Sequence, residues 1–145
     1  MEYLSNHFTL EELIASQTAT RRGIDNYPNL ERKINLTSLC RNILEPVRSL
    51  VGYSINTSSG YRSKVLNAYI GGAKNSQHVD GCAADISVYT LSVEALYQLI
   101  KASDIPYDQL IQEFNRWVHI SWSDNPRKQC LRARKVGDKT IYEQD

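Results

Sequence analysis

Apolar residues recur at three- and four-residue steps in several stretches of the chain. Leu36, Leu39, Cys40, Ile43, Leu44, Val47, Leu50 and Val51 form one stripe, the spacing that gathers side chains on one face of an α-helix. Pro46 lies inside that stripe. A proline there removes a backbone donor and clashes with the preceding turn, so the pattern predicts a kink or restart, with Gly52 ending the helix. Val93, Leu96, Leu99 and Ile100 predict a further helix between Ser92 and Ala102. Thr9 followed three residues later by Glu12 is the reciprocal pattern that satisfies free amides at a helix start, which predicts a first helix from about residue 10. Val65, Leu66, Tyr69 and Ile70 suggest a short helix that Gly71-Gly72 stops.

Between these stretches the texture turns to short, β-prone runs. Residues 53–57 read as a strand running into the loop Ser58-Ser59-Gly60-Tyr61-Arg62-Ser63, and residues 82–88 as a strand with one acid, Asp85, in its middle. Residues 108–114 and 117–122 read as two strands joined by Asn115-Arg116, and residues 131–136 with 140–142 as a hairpin around Gly137-Asp138. The pattern therefore predicts an α+β fold, a small antiparallel sheet packed against N-terminal helices. Nothing in the chain reads as a repeat, linker or low-complexity segment. Its 145 residues suit a single domain, 1–145.

Composition narrows the class. Hydrophobic residues make up 41% and charged residues 23%, the balance of an ordinary folded protein. No apolar stretch approaches the roughly 18 residues that span a bilayer, so no membrane insertion is expected. The start, Met1-Glu2-Tyr3-Leu4-Ser5, lacks the basic and apolar regions of an export signal, which predicts synthesis in the cytoplasm without a signal peptide. Cys40, Cys82 and Cys130 fit neither a metal spacing nor a disulfide framework and read as reduced thiols. A net charge of +1 gives no field for nucleic acid. Arg127, Lys128, Arg132, Arg134, Lys135 and Lys139 make the tail locally basic, which reads as a solvated face.

The chain has three histidines, and two of them, His78 and His119, fall at the edges of polar or strand segments. With Asp85 they make a two-imidazole, one-carboxylate set suited to zinc, and three protein ligands leave a position open as in catalytic sites. Spacing alone leaves the alternative open that these are hydrogen-bonded structural residues, because a histidine with an aspartate seven residues on is a loose pattern. Trp117 and Trp122 read as core, and His7 as a surface or packing residue.

Taken in order, Ser59-Gly60-Tyr61-Arg62-Ser63, Gly71-Gly72, Ser76-Gln77-His78, Gly81, Ala84-Asp85-Ile86 and Trp117-Val118-His119-Ile120-Ser121 resemble a known family. It is the group of zinc D-Ala-D-Ala carboxypeptidases and L-alanyl-D-glutamate endopeptidases, which also includes vancomycin-resistance D,D-dipeptidases, phage endolysins and the hedgehog signalling-domain fold. The resemblance covers roughly residues 8 to 122. It implies zinc held by His78, Asp85 and His119, with Arg62 facing the scissile carbonyl and Ser59, Tyr61 and Gln77 as neighbours able to bind substrate. Relatives commonly carry an acid three residues before the last histidine. Arg116 stands there in this chain, and Glu113 is the nearest acid able to serve as general base across the strand pair.

The resemblance further implies a monomeric peptidase acting on peptidoglycan stem peptides, of the endolysin type, which reaches the cell wall after release through a holin-type membrane hole. Its rival is a non-catalytic zinc domain that binds wall peptide or a protein partner, which the arginine at 116 favours. Glycan cleavage would need two acids flanking a cleft, and the sequence singles out no such pair.

Overall fold

The computed structural model describes residues 1–145. Thr9 and Glu12 close the reciprocal cap that starts α1 (Leu10–Ile14). Ser16 caps α2 (Gln17–Arg22), a helix without an apolar stripe because only Ala19 is buried. Asn29 caps α3 (Leu30–Leu39), which begins ahead of the stripe, its first turns carrying the exposed Leu30 and Ile34. The predicted break at Pro46 takes the form of one π-helical turn, Cys40–Leu44, leading into α4 (Glu45–Val51), with Pro46 in its first turn. The wider turn passes over the position where proline donates no hydrogen bond. Gly52 ends α4.

β1 (Asn56–Ser59) starts later than the sequence pattern suggests, because its pairing begins where Asn56 meets Ser87 of β2 (Ala83–Ser87). Between them lies α5 (Lys64–Tyr69), capped by Ser63. Ser92 caps α6 (Val93–Lys101). Four further strands follow: β3 (Gln109–Glu113), β4 (Trp117–Ser121), β5 (Gln129–Val136) and β6 (Lys139–Gln144).

The sheet is not small and antiparallel but six-stranded and mixed, in the order β1-β2-β4-β3-β5-β6, with β3 and β5 parallel. The reason lies at Asp108, whose carboxylate accepts from the Arg127 backbone N–H and whose carbonyl accepts from Gln129 N–H. These bonds carry the chain from β4 back to the start of β3, so that β5 runs alongside it in the same direction. Sequence-adjacent hairpin signals do not report such non-local pairing.

Register decides what each face of the sheet does. Residues opposite one another share a face, and side chains alternate along each strand. Ala84, Ile86, Leu110, Val118 and Ile120 lie on one face, fully buried with Leu39, Ile43, Leu96 and Ile100 of the helices. The other face carries Asp85 opposite His119 and His119 opposite Ile111, with Glu113 opposite Trp117 and Ala133. A bulge between Thr57 and Ser59 brings Ser59 opposite Asp85. No helix is long and apolar enough to cross a membrane.

Candidate metal centre

His78 comes from the loop before β2, Asp85 from the middle of β2, and His119 from the middle of β4. All three are buried. His78 Nδ1 lies 2.7 Å from the Gly60 carbonyl oxygen. A carbonyl only accepts, so the proton sits on Nδ1 and the Nε2 lone pair points into the site. That Nε2 is 3.2 Å from Asp85 Oδ1, and His119 Nδ1 is 3.2 Å from the same oxygen. One ligand atom from each residue lies within 4.8 Å of the others.

Burial lowers the basicity of His78 and so favours the neutral ring. Burial alone would raise the Asp85 carboxyl, but the adjacent imidazoles of His78 and His119 hold it well below the ordinary carboxylate range. Two ring nitrogens and a carboxylate oxygen face one another here at close range, donor types that a divalent cation takes. The donor set therefore fits a divalent metal such as zinc.

These residues floor an open cleft of about 730 Å³. Glu113 reaches into it from the end of β3, with Oε1 3.7 Å from His119 Nδ1. Its carboxyl is shifted upward, chiefly by burial, against the lowering pull of His119 and Arg62. Arg116 sits exposed in the turn after β3. Arg62 lines the cleft, and its Nη1 donates to Asn67 Oδ1 at 3.1 Å. Its backbone N–H donates to the His78 carbonyl, so the two residues are tied along the chain.

Ser59 and Gln77 also line the cleft, and Gln77 Nε2 donates to Asp108 Oδ2. Tyr61 does not. It is 7% exposed and packs in the main core, since Arg62 beside it takes the cleft-facing side. Trp117, read as core from the sequence, forms part of the cleft wall against Phe114, with ring centroids 5.8 Å apart. Trp122 packs against the core, and His7 lies half-exposed against Glu45. The three cysteines are free.

The supporting roles of three residues escape a reading of the sequence alone. Asn67, 4% exposed, holds Arg62 with its amide oxygen and the Ala73 carbonyl with its amide nitrogen. Gly72 lets that pair approach, because a Cβ there would stand 2.1 Å from Asn67 Oδ1. Asp108, 3% exposed, carries Gln77 and is itself gripped by Arg127. Asn67 leaves one signal in the sequence, as a polar residue within the apolar run of α5.

A buried His–Asp–His cluster opening into a cleft beside an acid and an arginine presents a donor set that fits a divalent metal. The model of the peptidase M15 family matches residues 6–121, and the chain belongs to that family, whose members are zinc-dependent metallopeptidases. No curated protein sequence matches the chain.

Proposed function

We propose that the protein is a zinc peptidase that hydrolyses peptide bonds in bacterial peptidoglycan, acting in the manner of an endolysin. The observation that carries this reading is the convergence of the His78, Asp85 and His119 ligand atoms within 4.8 Å, with Glu113 beside them in the same cleft. In this reading His78 Nε2, Asp85 Oδ1 and His119 Nδ1 hold the zinc. When bound, the metal supplies Lewis acidity to the scissile carbonyl and makes water nucleophilic near neutral pH.

The chain's own groups do the rest. Glu113 takes the proton of the attacking water and passes it to the leaving amine nitrogen as the C–N bond breaks. Its burial raises its proton affinity, which suits a group that must hold a proton between those steps. Arg62, steadied by Asn67, offers its remaining N–H groups to the oxygen that gains charge in the transition state. Ser59 and Gln77 line the path of the stem peptide.

Arg116 favours a non-catalytic reading, whereas Glu113 offers an acid in the cleft beside the ligand set, which supports the peptidase reading. Elemental analysis of the purified protein should give about one zinc per chain, and His119→Ala should lose it together with hydrolysis of purified walls. Full zinc content in the variant would take His119 out of the ligand set.

A further inference from the structure

The cleft is finished by chain that lies beyond the family-matched stretch. The match ends at residue 121, yet Leu131, Lys135, Thr140 and Tyr142 of the β5–β6 hairpin line the same cleft as the ligand set. Their place follows from register. Ala133 pairs with Glu113 on one side and Tyr142 on the other, so Lys135, two positions on and opposite Thr140, shares the face of Glu113.

Lys128, Lys135 and Lys139 have no carboxylate partner, unlike the arginines of this tail, and of the three Lys135 lines the cleft. Arg132 is engaged by Glu94 and Asp145, Arg134 by Glu143, and Arg127 by Asp108. The Lys135 ammonium instead stands 5.5 Å from the centroid of the Phe114 ring. Phe114 holds a backbone conformation that bulky L-residues avoid, with φ 58. The turn it occupies has Asn115 next, also at positive φ, and Arg116 N–H bonded to the Glu113 carbonyl, geometry that glycine or asparagine fills at lower cost. What the phenyl ring contributes there is contact with Trp117 and Lys135 at the cleft wall, and strain kept in place of a cheaper residue marks a working surface.

Building on the peptidase reading of this cleft, we infer that Lys135, set by Phe114 and the β5–β6 hairpin, is a specificity residue that binds a free carboxylate of the substrate peptide. The spacing bounds where that carboxylate sits. Two residues along β5 amount to roughly 7 Å, about the span of two extended substrate residues. The group therefore belongs to the chain terminus just past the scissile bond, or to a side-chain carboxylate carried by a neighbouring stem residue. The two sources share one chemistry and differ in which amide substitution abolishes recognition.

The test uses zinc-loaded protein and two peptide pairs. One pair is acetyl-L-Lys-D-Ala-D-Ala and its C-terminal amide. The other is C-terminally amidated L-Ala-γ-D-Glu-L-Lys and its isoglutamine analogue. KM and kcat are measured on the parent chain, and affinity by calorimetry with Glu113→Gln as the uncleaving background. In one pair the carboxylate form should bind about tenfold more tightly than its amide, as expected of a charge-assisted contact. Lys135→Met, which keeps the apolar stem against Phe114, should bring the two forms level with kcat unchanged, and Lys135→Arg should restore the preference. The pair that responds identifies the source of the carboxylate. A preference that survives Lys135→Met, or no preference in either pair, overturns the inference. Lys135-dependent affinity without any cleavage would leave the subsite standing and remove the peptidase reading instead.

Discussion

Glu113 shares its cleft with Asp85 and Arg62, and the balance among them sets when it can accept a proton. Burial raises its carboxyl above the ordinary glutamate value, so it is ionised only above a correspondingly higher pH. Glu113→Gln should keep zinc and stability while losing about a hundredfold or more in kcat; unchanged turnover would move the proton transfer to another group. Arg62→Ala should lose about a hundred- to a thousandfold. Asn67 touches Arg62 but no reacting atom, so its part is to aim the guanidinium. Asn67→Ala is predicted to lower kcat about tenfold with KM and zinc content intact, and to add nothing further in an Arg62→Ala background. Additive losses in the double variant would mean that Asn67 acts independently of Arg62.

At the scale of elements, the site is a consequence of strand register and two close approaches. Leu13 O accepts the Tyr61 N–H, which seats α1 against the Gly60 turn. A Cβ at Gly60 would stand 2.2 Å from that same oxygen, so Gly60→Ala must displace the carbonyl that orients His78. Removing such support typically weakens metal binding about ten- to a hundredfold, and a chelator competition assay should show that loss. Much of this architecture is legible in the chain. The cap at Thr9, the helix between Ser92 and Ala102, the break near Pro46 and the strands carrying Asp85 and His119 all follow from local pattern. The ordered motifs around His78, Asp85 and His119 pick out the three residues that the fold brings together. What local pattern does not carry is pairing between distant segments. The parallel β3–β5 contact depends on Asp108 meeting Arg127 across a loop, and α2 presents too little buried surface to leave a stripe. Tyr61 faces the core instead of the cleft for a related reason, since alternation in extended chain is fixed only once Arg62 is placed.

One ion pair ties the start of β3 to the segment that leads into β5. Arg127 donates to both carboxylate oxygens of Asp108, whose carboxyl is lowered to about 2 chiefly by those bonds. Its ordinary value is 3.8. The stabilisation is thus complete above pH 4 and fades as pH falls toward 2, because the unfolded chain takes up the proton first. With Arg127 partly in solvent, the effect is about 1 kcal/mol, and Asp108→Asn should flatten that acid-dependent loss in denaturant titrations between pH 4 and 2. The same variant should loosen Gln77 in the cleft without removing zinc. The central claim, that this cleft hydrolyses wall peptides, is tested most directly by mass analysis of the soluble fragments released from purified peptidoglycan by the zinc-loaded protein. New amino and carboxyl termini within the stem peptides are expected, with glycan strands left intact and release by Glu113→Gln slower by about a hundredfold or more. Glycan-cleaved fragments, or no fragments at all from an active zinc-loaded preparation, would contradict it.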